Sequence, residues 1–331
     1  MNIDLHGHVV VPEILRTDTH PESWRPVVTR QPNGWQMVRN DRFMNGPVPK
    51  EIVDWTGIIE ELDATAVDLM AVSPAPYLFF YYLDGPEGLS ACQIQNDAIA
   101  AAVCRHPDRF AGLGVVPLQD TRLAVRELER VATELHFPGI EISTNVEGVY
   151  PGHERFWPFW EAVEALDLCV LFHPDQPVLG GEKLADYYLT NLMGNVIETT
   201  RSIADVVFSG LLEAFPKLKL CFVHAGGTVP YIRGRFEHGY HARTEPRARI
   251  GRPPSEYIRL LYFDTITHWH PALEFLVNTV GADKVYLGSD YPFDMGPADP
   301  VRFVQDAPGI SAEDKIKILG ENARKLLKIE G

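Results

Sequence analysis

The sequence predicts an α/β fold in which eight parallel strands close into a (β/α)₈ TIM barrel. Eight short apolar runs are nearly continuous, as strands buried on both faces are, and segments with helical spacing separate most of them. An open doubly wound sheet is the competing class. It is disfavoured because no G-x-G-x-x-G motif follows the first apolar run and such folds usually have fewer units. We expect one domain over residues 1–331.

The elements alternate along the whole chain. The predicted strands are 2–6, 67–74, 109–118, 138–144, 168–174, 218–227, 258–265 and 283–292. The main predicted helices are 51–66, 89–107, 121–135, 155–167, 196–216, 229–242 and 270–280. Thr121 and Ser311 are candidate N-caps. Segment 9–50 is rich in Pro, Asn and Arg, which predicts an insertion or small flap after the first strand.

Charge and composition exclude some classes of partner. The chain has 45 acidic and 30 basic residues, a net charge of -15, which argues against a nucleic-acid partner. No run of about 18 apolar residues predicts a membrane span. The first residues lack the pattern of a secretory signal peptide, and the four cysteines form no CxxC pair. We therefore expect a cytoplasmic protein with reduced thiols.

Two histidines lie one residue apart at the end of the first predicted strand, in "NIDLHGH". Side chains two residues apart in a strand point to the same face, so His6 and His8 are expected to face one space. Neutral imidazoles are good ligands for a divalent transition metal. Gly7 between them allows a close approach of the backbone to a neighbouring group. Paired histidines are also common as hydrogen-bonded core residues, so this pair alone leaves both interpretations open.

Three further strand ends have polar residues of the same kind. His173 ends the apolar part of "LCVLFHP", His224 ends the apolar part of "LKLCFVHAGG", and Asp290 lies at the end of "DKVYLGSD". The carboxyl ends of barrel strands form the face on which barrel enzymes build their active sites. Since four strand ends would meet at one mouth, a shared site explains them better than independent structural roles.

The motifs "DLHGH", "FHP", "FVHAGG" and "YLGSDYPF" resemble those of the amidohydrolase superfamily. They are most similar to its branch containing aminocarboxymuconate-semialdehyde decarboxylase and related aromatic-acid decarboxylases. The resemblance extends to the insertion after the first strand, to "PPSEYI" (253–258) and to "GENARKLL" (320–327). It implies a distorted barrel with one divalent metal, zinc or alternatively manganese.

The resemblance also implies roles for individual residues. His6, His8, His173 and Asp290 would ligate the metal, and His224, with Asp290, would act in catalysis beside a metal-bound water. Glu141 in "PGIEIST" is either a second-metal ligand or a carboxylate of the barrel interior.

Substrate recognition in the resembled branch depends on arginines. Arg42 in the insertion and Arg235 after the sixth strand are the candidates here, and Arg235 would act from a neighbouring subunit of a homodimer or higher oligomer. A guanidinium binds a carboxylate through two parallel hydrogen bonds. His268 and Trp269 follow the seventh strand and are expected to shape the substrate pocket.

The predicted activity is metal-dependent, nonoxidative decarboxylation of a small unsaturated or aromatic carboxylic acid. The alternative on the same scaffold is hydrolysis of a C–C, lactone or amide bond, because the same metal site can activate water. A metal-binding barrel without catalysis is a third, weaker alternative. Zinc and manganese both suit a site of three histidines and one aspartate.

Overall fold

The computed structural model describes residues 1–32, 34–48, 50–175, 179 and 181–329. The strands of this described part are, in chain order, β1 (Ile3–Val9), β2 (Val27–Arg30), β3 (Gln36–Arg39), β4 (Met44–Val48), β5 (Leu69–Pro74), β6 (Phe110–Gly114), β7 (Gly139–Ser143), β8 (Cys169–His173), β9 (Lys219–Phe222), β10 (Tyr262–Asp264) and β11 (Val285–Tyr286). Among them, eight parallel strands form one sheet in the order β1-β5-β6-β7-β8-β9-β10-β11.

The segment after β11 closes this sheet against β1. Leu5 N donates to the carbonyl of Leu287 at 2.9 Å, and Asp290 N donates to the carbonyl of His6 at 2.9 Å. His8 N donates to the carbonyl of Tyr291 at 2.7 Å. Because β11 itself is only two residues long, irregular backbone completes the closure. The predicted distorted (β/α)₈ barrel is confirmed.

Helices connect the strands on the outside. Those of the described residues are α1 (Trp55–Ala64), α2 (Gly85–Arg105), α3 (Thr121–Thr133), α4 (Trp157–Leu166), α5 (Val196–Phe208), α6 (Leu211–Ala214), α7 (Val229–Ala242), α8 (Pro254–Ile258), α9 (His270–Val280), α10 (Pro300–Gln305), α11 (Ala312–Ile316) and α12 (Asn322–Leu326). No helix in this set has the length and apolar character needed to cross a bilayer.

Two local expectations need correction. The N-cap of α3 is Asp120, whose carboxylate accepts a hydrogen bond from Leu123 N, and Thr121 is the first helical residue. The aspartate provides the capping oxygen one residue earlier than expected. The predicted strand 258–265 is reduced to β10, because α8 occupies the chain up to Ile258. Ser311 does cap α11, accepting from Asp314 N.

The predicted insertion 9–50 contains a small antiparallel sheet. Within its described residues, β3 lies between β2 and β4. Val38 and Val48 of this sheet are buried and belong to the main apolar core. Asn33 and Pro49, which also fall in the predicted insertion, lie outside the described residues.

Apolar side chains fill the space on both sides of the barrel wall. The larger cluster lies between strands and helices and takes alternate strand residues such as Val170 and Phe172. The residues between them, Cys169 and Leu171, belong to a second cluster that fills the barrel interior. Leu326 of α12 joins this interior cluster together with Ile3 and Leu5 of β1. The amino ends of the strands therefore surround an apolar plug.

Candidate metal centre

Four buried side chains converge at the carboxyl ends of three strands or strand segments. One ligand atom from each of His6, His8, His173 and Asp290 lies within 4.8 Å of all the others. The histidines come from β1 and β8, and Asp290 comes from the segment that closes the barrel. The structure thus brings together all four residues predicted to ligate a metal.

The atoms that face each other are all nitrogen or carboxylate oxygen. The Oδ1 atom of Asp290 lies 3.3 Å from Nε2 of His6, 3.2 Å from Nε2 of His8 and 3.5 Å from Nε2 of His173. None of these four atoms has a hydrogen-bond partner among the described residues, although all are buried. Ligands arranged tetrahedrally ~2.1 Å from a cation lie about 3.4 Å apart. The donor set and the three distances from Asp290 therefore fit one divalent cation.

The other ring nitrogen of each histidine is occupied. His6 Nδ1 lies 3.0 Å from Oδ2 of Asp264, and His173 Nδ1 donates to the carbonyl of Pro174 at 2.8 Å. His8 Nδ1 lies 3.4 Å from the hydroxyl of Ser73. Partners on Nδ1 fix each ring and leave Nε2 as the free lone pair, which is the usual arrangement of metal-ligating histidines.

Electrostatics at the cluster favour the protonation states that metal ligands need at His8, His173 and Asp290, whereas His6 holds a proton. Burial lowers the pKa of His8 to about 4 and the pKa of His173 to about 3. Burial alone would also lower the pKa of His6, but the carboxylates of Asp290 and Asp264 outweigh it and raise that pKa to about 10. Burial opposes ionisation of Asp290, yet the surrounding imidazoles, His6 first, hold its pKa well below the usual range. A cation at this point would replace the His6 proton.

A bulge in β1 makes the histidines face the barrel interior. Ile3 pairs with Leu69 and Asp4 with Met70, but the next pair is Gly7 with Val72, so β1 has one extra residue. Ile3 and Leu5 face the interior below the bulge. Strict alternation would then turn His6 and His8 outwards, and the extra residue reverses this.

Asp264, at the end of β10, organises the backbone around the site. Its carboxylate accepts from the backbone N–H of His224 at 2.9 Å and of Ala225 at 2.7 Å, in addition to contacting His6 Nδ1. Both His224 and Ala225 have φ near +53°, a left-handed conformation that non-glycine residues rarely adopt. The carboxylate stabilises this turn and so fixes the direction of the His224 ring. Sequence reasoning misses Asp264, although it ends an apolar strand just as His173 does.

His224 lies beside the four-residue cluster rather than within it. Its Nε2 atom is 3.6 Å from Oδ2 of Asp290, the oxygen that faces away from the other histidines. Its buried Nδ1 has no hydrogen-bond partner within the described part of the chain. The two oxygens of Asp290 therefore face different groups: Oδ1 faces the three Nε2 atoms and Oδ2 faces His224.

A small polar recess of about 100 Å³ opens directly onto the cluster. His173, Asp290 and the carboxyl group of Asp175 line it. Uncharged polar side chains, among them Asn45, Tyr77 and Asn195, complete the polar part of the lining. Asn45 belongs to β4, so the insertion after β1 contributes to the site. Tyr77 is buried, and its hydroxyl has no partner among the residues described.

A larger cleft of about 670 Å³ adjoins the recess. Asn191 and Asn195 line both spaces, and His224 lines the cleft. His268 and Trp269 lie on its wall, where the sequence places them. The size is in the range of small-molecule binding sites.

Comparison with known proteins decides the family. The amidohydrolase family profile matches residues 3–329 of the chain. The chain belongs to the amidohydrolase family. The superfamily predicted from the four sequence motifs is therefore confirmed.

Several decarboxylases are similar to this chain in sequence and structure. The 2-amino-3-carboxymuconate-6-semialdehyde decarboxylase of Dictyostelium discoideum is 33% identical, over 100% of this chain and 92% of that protein. The 5-carboxyvanillate decarboxylase of Sphingomonas paucimobilis has a crystal structure that is 28% identical, with a TM-score of 0.83 over 99% of each chain. A 5-carboxyvanillate decarboxylase from Novosphingobium aromaticivorans, complexed with manganese and 4-hydroxy-3-methoxy-5-nitrobenzoic acid, is 27% identical. Its TM-score is 0.79, over 85% of this chain and 82% of that one. The predicted branch of the amidohydrolase superfamily is confirmed.

The two arginines predicted to bind the substrate, Arg42 and Arg235, lie away from the four-residue metal cluster. Arg42 is exposed, and its guanidinium carbon lies 5.3 Å from the ring centroid of Tyr82. Arg235 is exposed on α7, whose first turn lines the cleft through Pro230 and Tyr231. Neither arginine is among the described residues that line the recess or the cleft.

Glu141 faces the barrel interior beneath the cluster. Its Oε2 atom lies 3.8 Å from His8 Nδ1, the nitrogen that faces away from the other ligands. Burial raises the pKa of Glu141 to about 8, so the neutral carboxylic acid is favoured at neutral pH. This position fits the expected interior carboxylate better than a second metal ligand.

Proposed function

We propose that this protein is a metal-dependent, nonoxidative decarboxylase of a small aromatic or unsaturated carboxylic acid. The observation that carries the proposal is the convergence of three Nε2 atoms and one carboxylate oxygen at a small recess, beside His224, which lines the adjoining cleft. Similarity to decarboxylases over nearly the full chain supports the reaction type.

His6, His8, His173 and Asp290 would hold the metal. A divalent metal bound there supplies positive charge that stabilises negative charge developing on the substrate as the carbon–carbon bond breaks. We propose zinc as the metal, with manganese as the alternative, since neutral imidazoles and one carboxylate suit either ion. Metal analysis of the purified protein, followed by activity after reconstitution with each ion, distinguishes the two.

His224 would deliver the proton that replaces the carboxylate. An imidazole can both donate and accept a proton, and this ring lines the cleft with one buried nitrogen that has no hydrogen-bond partner within the described residues. Protonation of the carbon that bears the carboxylate forms a C–H bond. The C–C bond then breaks, its electron pair returns to the ring or double bond, and neutral CO₂ leaves. His224 regains a proton from water.

Asp290 would serve both metal binding and proton transfer by His224, one through each of its carboxylate oxygens. Oδ1 contributes negative charge to the metal site, and Oδ2 lies on the side of His224 Nε2. A carboxylate at this distance stabilises the protonated imidazole before transfer and orients the ring towards the cleft.

Uncharged polar groups in the recess would orient the substrate. Asn45 and Tyr77 can hydrogen-bond to a carboxylate or a ring hydroxyl held beside the metal ligands. His268 and Trp269 would form the outer wall of the binding site. Arg42 and Arg235 remain predicted carboxylate contacts, and Arg235 would have to reach the site of a second subunit.

A homodimer or higher oligomer in the cytoplasm is part of the proposal. Cys92, Cys104, Cys169 and Cys221 are all free thiols, which suits a reducing compartment. If Arg235 acts across an interface, activity per subunit should fall when the protein is diluted below its dissociation constant. Constant specific activity in a monomer would refute that role.

Incubation of the metal-loaded protein with a panel of hydroxybenzoic and unsaturated carboxylic acids tests the reaction. We expect CO₂ release and a product lighter by the mass of CO₂. A product heavier by the mass of water would instead assign the chain to the hydrolytic alternative. Release of CO₂ from none of these acids would contradict the proposed decarboxylation.

A further inference from the structure

Asp175 places a carboxyl group beside the metal ligands. It follows His173 by two residues, and the ring of His173 donates to the carbonyl of the intervening Pro174 at 2.8 Å. Asp175 lines the small recess together with His173 and Asp290. It is not a member of the four-residue metal cluster. Its carboxyl group therefore belongs to the wall of the substrate site and not to the ligand set.

The same residue also lines a second space, which we call the side pocket. This pocket has a volume of about 310 Å³, and its polar lining includes Tyr81, Tyr82, Ser143, Glu147 and Asp175. Asp175 is the one residue that the described linings of the recess and the side pocket share. A substituent that extends into the side pocket from a carboxylate held in the recess would therefore pass Asp175.

The carboxyl group of Asp175 has no partner of its own. Within the described residues it forms no hydrogen bond or ion pair, and Glu147 adds a second acidic group to the side pocket. Tyr77 in the recess is in the same state: it is 6% exposed, and its hydroxyl has no partner in the described part of the chain. A half-buried carboxyl group without a partner is costly, so a ligand that donates a hydrogen bond to Asp175 gains free energy.

We infer that Asp175 determines substrate specificity by accepting a hydrogen bond from a cationic amino group that the substrate bears in addition to its reacting carboxylate. This deepens the proposed function and rests on it. A charge-assisted hydrogen bond between an ammonium and a carboxylate is about twice as strong as a neutral one, so a hydroxyl group at the same place should be a weaker substitute. The carboxylate contacts proposed for Arg42 and Arg235 involve other substrate groups and are compatible with this role.

A matched series of 2-hydroxybenzoic acids tests this inference. The compounds bear a methyl, hydroxymethyl or aminomethyl group at the same ring position, and each ring position is examined. At the best position we expect kcat/KM to rise from methyl to hydroxymethyl to aminomethyl, with the aminomethyl compound at least tenfold above the methyl compound. A methyl compound that is turned over as well as the aminomethyl compound, or better, at every position overturns the inference and leaves decarboxylation intact.

A pair of variants in the connection between β8 and α5 assigns the preference to one side chain. Asp175→Asn keeps the size of the side chain and removes its charge, so the ratio of kcat/KM for the aminomethyl compound to that for the methyl compound should fall at least tenfold. Asp186→Asn, at an exposed position of the same connection that lines neither space, should leave this ratio unchanged. A substitution that disturbs metal binding lowers both rates alike, so the ratio cancels that effect. Equal losses for the two compounds in Asp175→Asn would show a structural role and overturn the inference.

Binding separates this inference from the proposed reaction. In the corresponding 2-nitrophenols a nitro group replaces the reacting carboxylate, so calorimetric titration of the metal-loaded protein measures affinity without turnover. At the best ring position we expect the aminomethyl compound to bind at least tenfold more tightly than the methyl compound, and Asp175→Asn to abolish most of this difference. If none of the acids releases CO₂, the proposed function fails, but this pattern of affinities still supports the role of Asp175. Equal affinities of the two nitrophenols for the wild type at every position would overturn it.

Discussion

The two ends of the barrel use the same strands for different purposes. At the amino ends, Ile3, Leu5 and Leu171 pack against Leu326 of α12 and form a closed apolar plug. At the carboxyl ends, His6 and His173 direct nitrogens without partners in the described structure towards one carboxylate. One end lowers the free energy of the folded chain, whereas the other keeps polar atoms unsatisfied until a ligand arrives.

Strand β1 contains this contrast within seven residues. Leu5 belongs to the plug and His6 to the metal site, although strict alternation cannot turn two successive residues inwards. The bulge between Asp4 and Gly7 resolves the conflict. The boundary between the stabilising and functional halves of the barrel is therefore a backbone irregularity, as is common next to active sites.

Replacement of His224 should have the largest effect on turnover. His224→Asn removes the proposed proton donor but none of the four metal ligands, so kcat should fall roughly 10²–10⁴-fold while metal content stays the same. Steady-state kinetics and elemental analysis measure both quantities. His241→Asn, at an exposed position of α7, is the matched control and should change neither. Loss of metal from His224→Asn would show that His224 is a metal ligand, which contradicts its assignment as the proton donor alone.

Replacement of Asp290 should affect both activity and metal. Asp290→Asn keeps the shape of the side chain but removes the negative charge that faces three imidazoles, so we expect a lower metal content and a kcat reduced roughly 10²–10³-fold. Asp306→Asn, on the exposed surface, is the control. Full metal occupancy in Asp290→Asn would show that the negative charge of this side chain is not needed to hold the metal.

A change in the plug should affect stability alone. Leu326→Ala leaves a cavity among fully buried side chains and should lower the free energy of unfolding by about 2–5 kcal/mol, measured by urea denaturation. Below the unfolding transition, kcat and metal content should equal those of the wild type. Ile316→Ala, at a position 59% exposed, should have little effect on stability. A Leu326→Ala protein that is stable but inactive would contradict the division of labour between the two ends.

Asp264 contacts the His6 ring and the backbone of His224 but is not a metal ligand. Its replacement should therefore reduce metal affinity and activity only in part. Asp264→Asn weakens the contact that orients His6 and the bonds that stabilise the His224 turn. We expect metal affinity to fall roughly 10–100-fold, measured by competition with a chelator, with activity partly restored by excess metal. No change in affinity would mean that the orientation of His6 does not depend on this carboxylate.

Strand periodicity was sufficient to predict the barrel and to select His173, because Cys169, Leu171 and His173 alternate inwards without interruption. It also identified His6, His8, His224 and Asp290 as polar residues at strand ends. Their actual directions depend on features that no residue pattern reveals: a bulge at His6, and left-handed backbone at His224 and Asp290. These conformations depend on long-range hydrogen bonds such as those to Asp264.

The insertion shows the other limit of sequence reasoning. Its antiparallel sheet brings Asn45 to the recess, whereas Arg42, three residues earlier, lies exposed over Tyr82. The register of β3 and β4, including an irregularity between Gln36 and Val38, decides which residue reaches the site. A shift of one residue turns a strand's side chains to the other face, so composition alone could not choose between them.

Anomalous X-ray diffraction at the absorption edge of the bound metal, on crystals of the purified protein, tests the central claim most directly. We predict one peak within about 2.0–2.3 Å of His6 Nε2, His8 Nε2, His173 Nε2 and an oxygen of Asp290. A metal located elsewhere, or no peak between these four atoms in crystals grown with excess zinc or manganese, would contradict it.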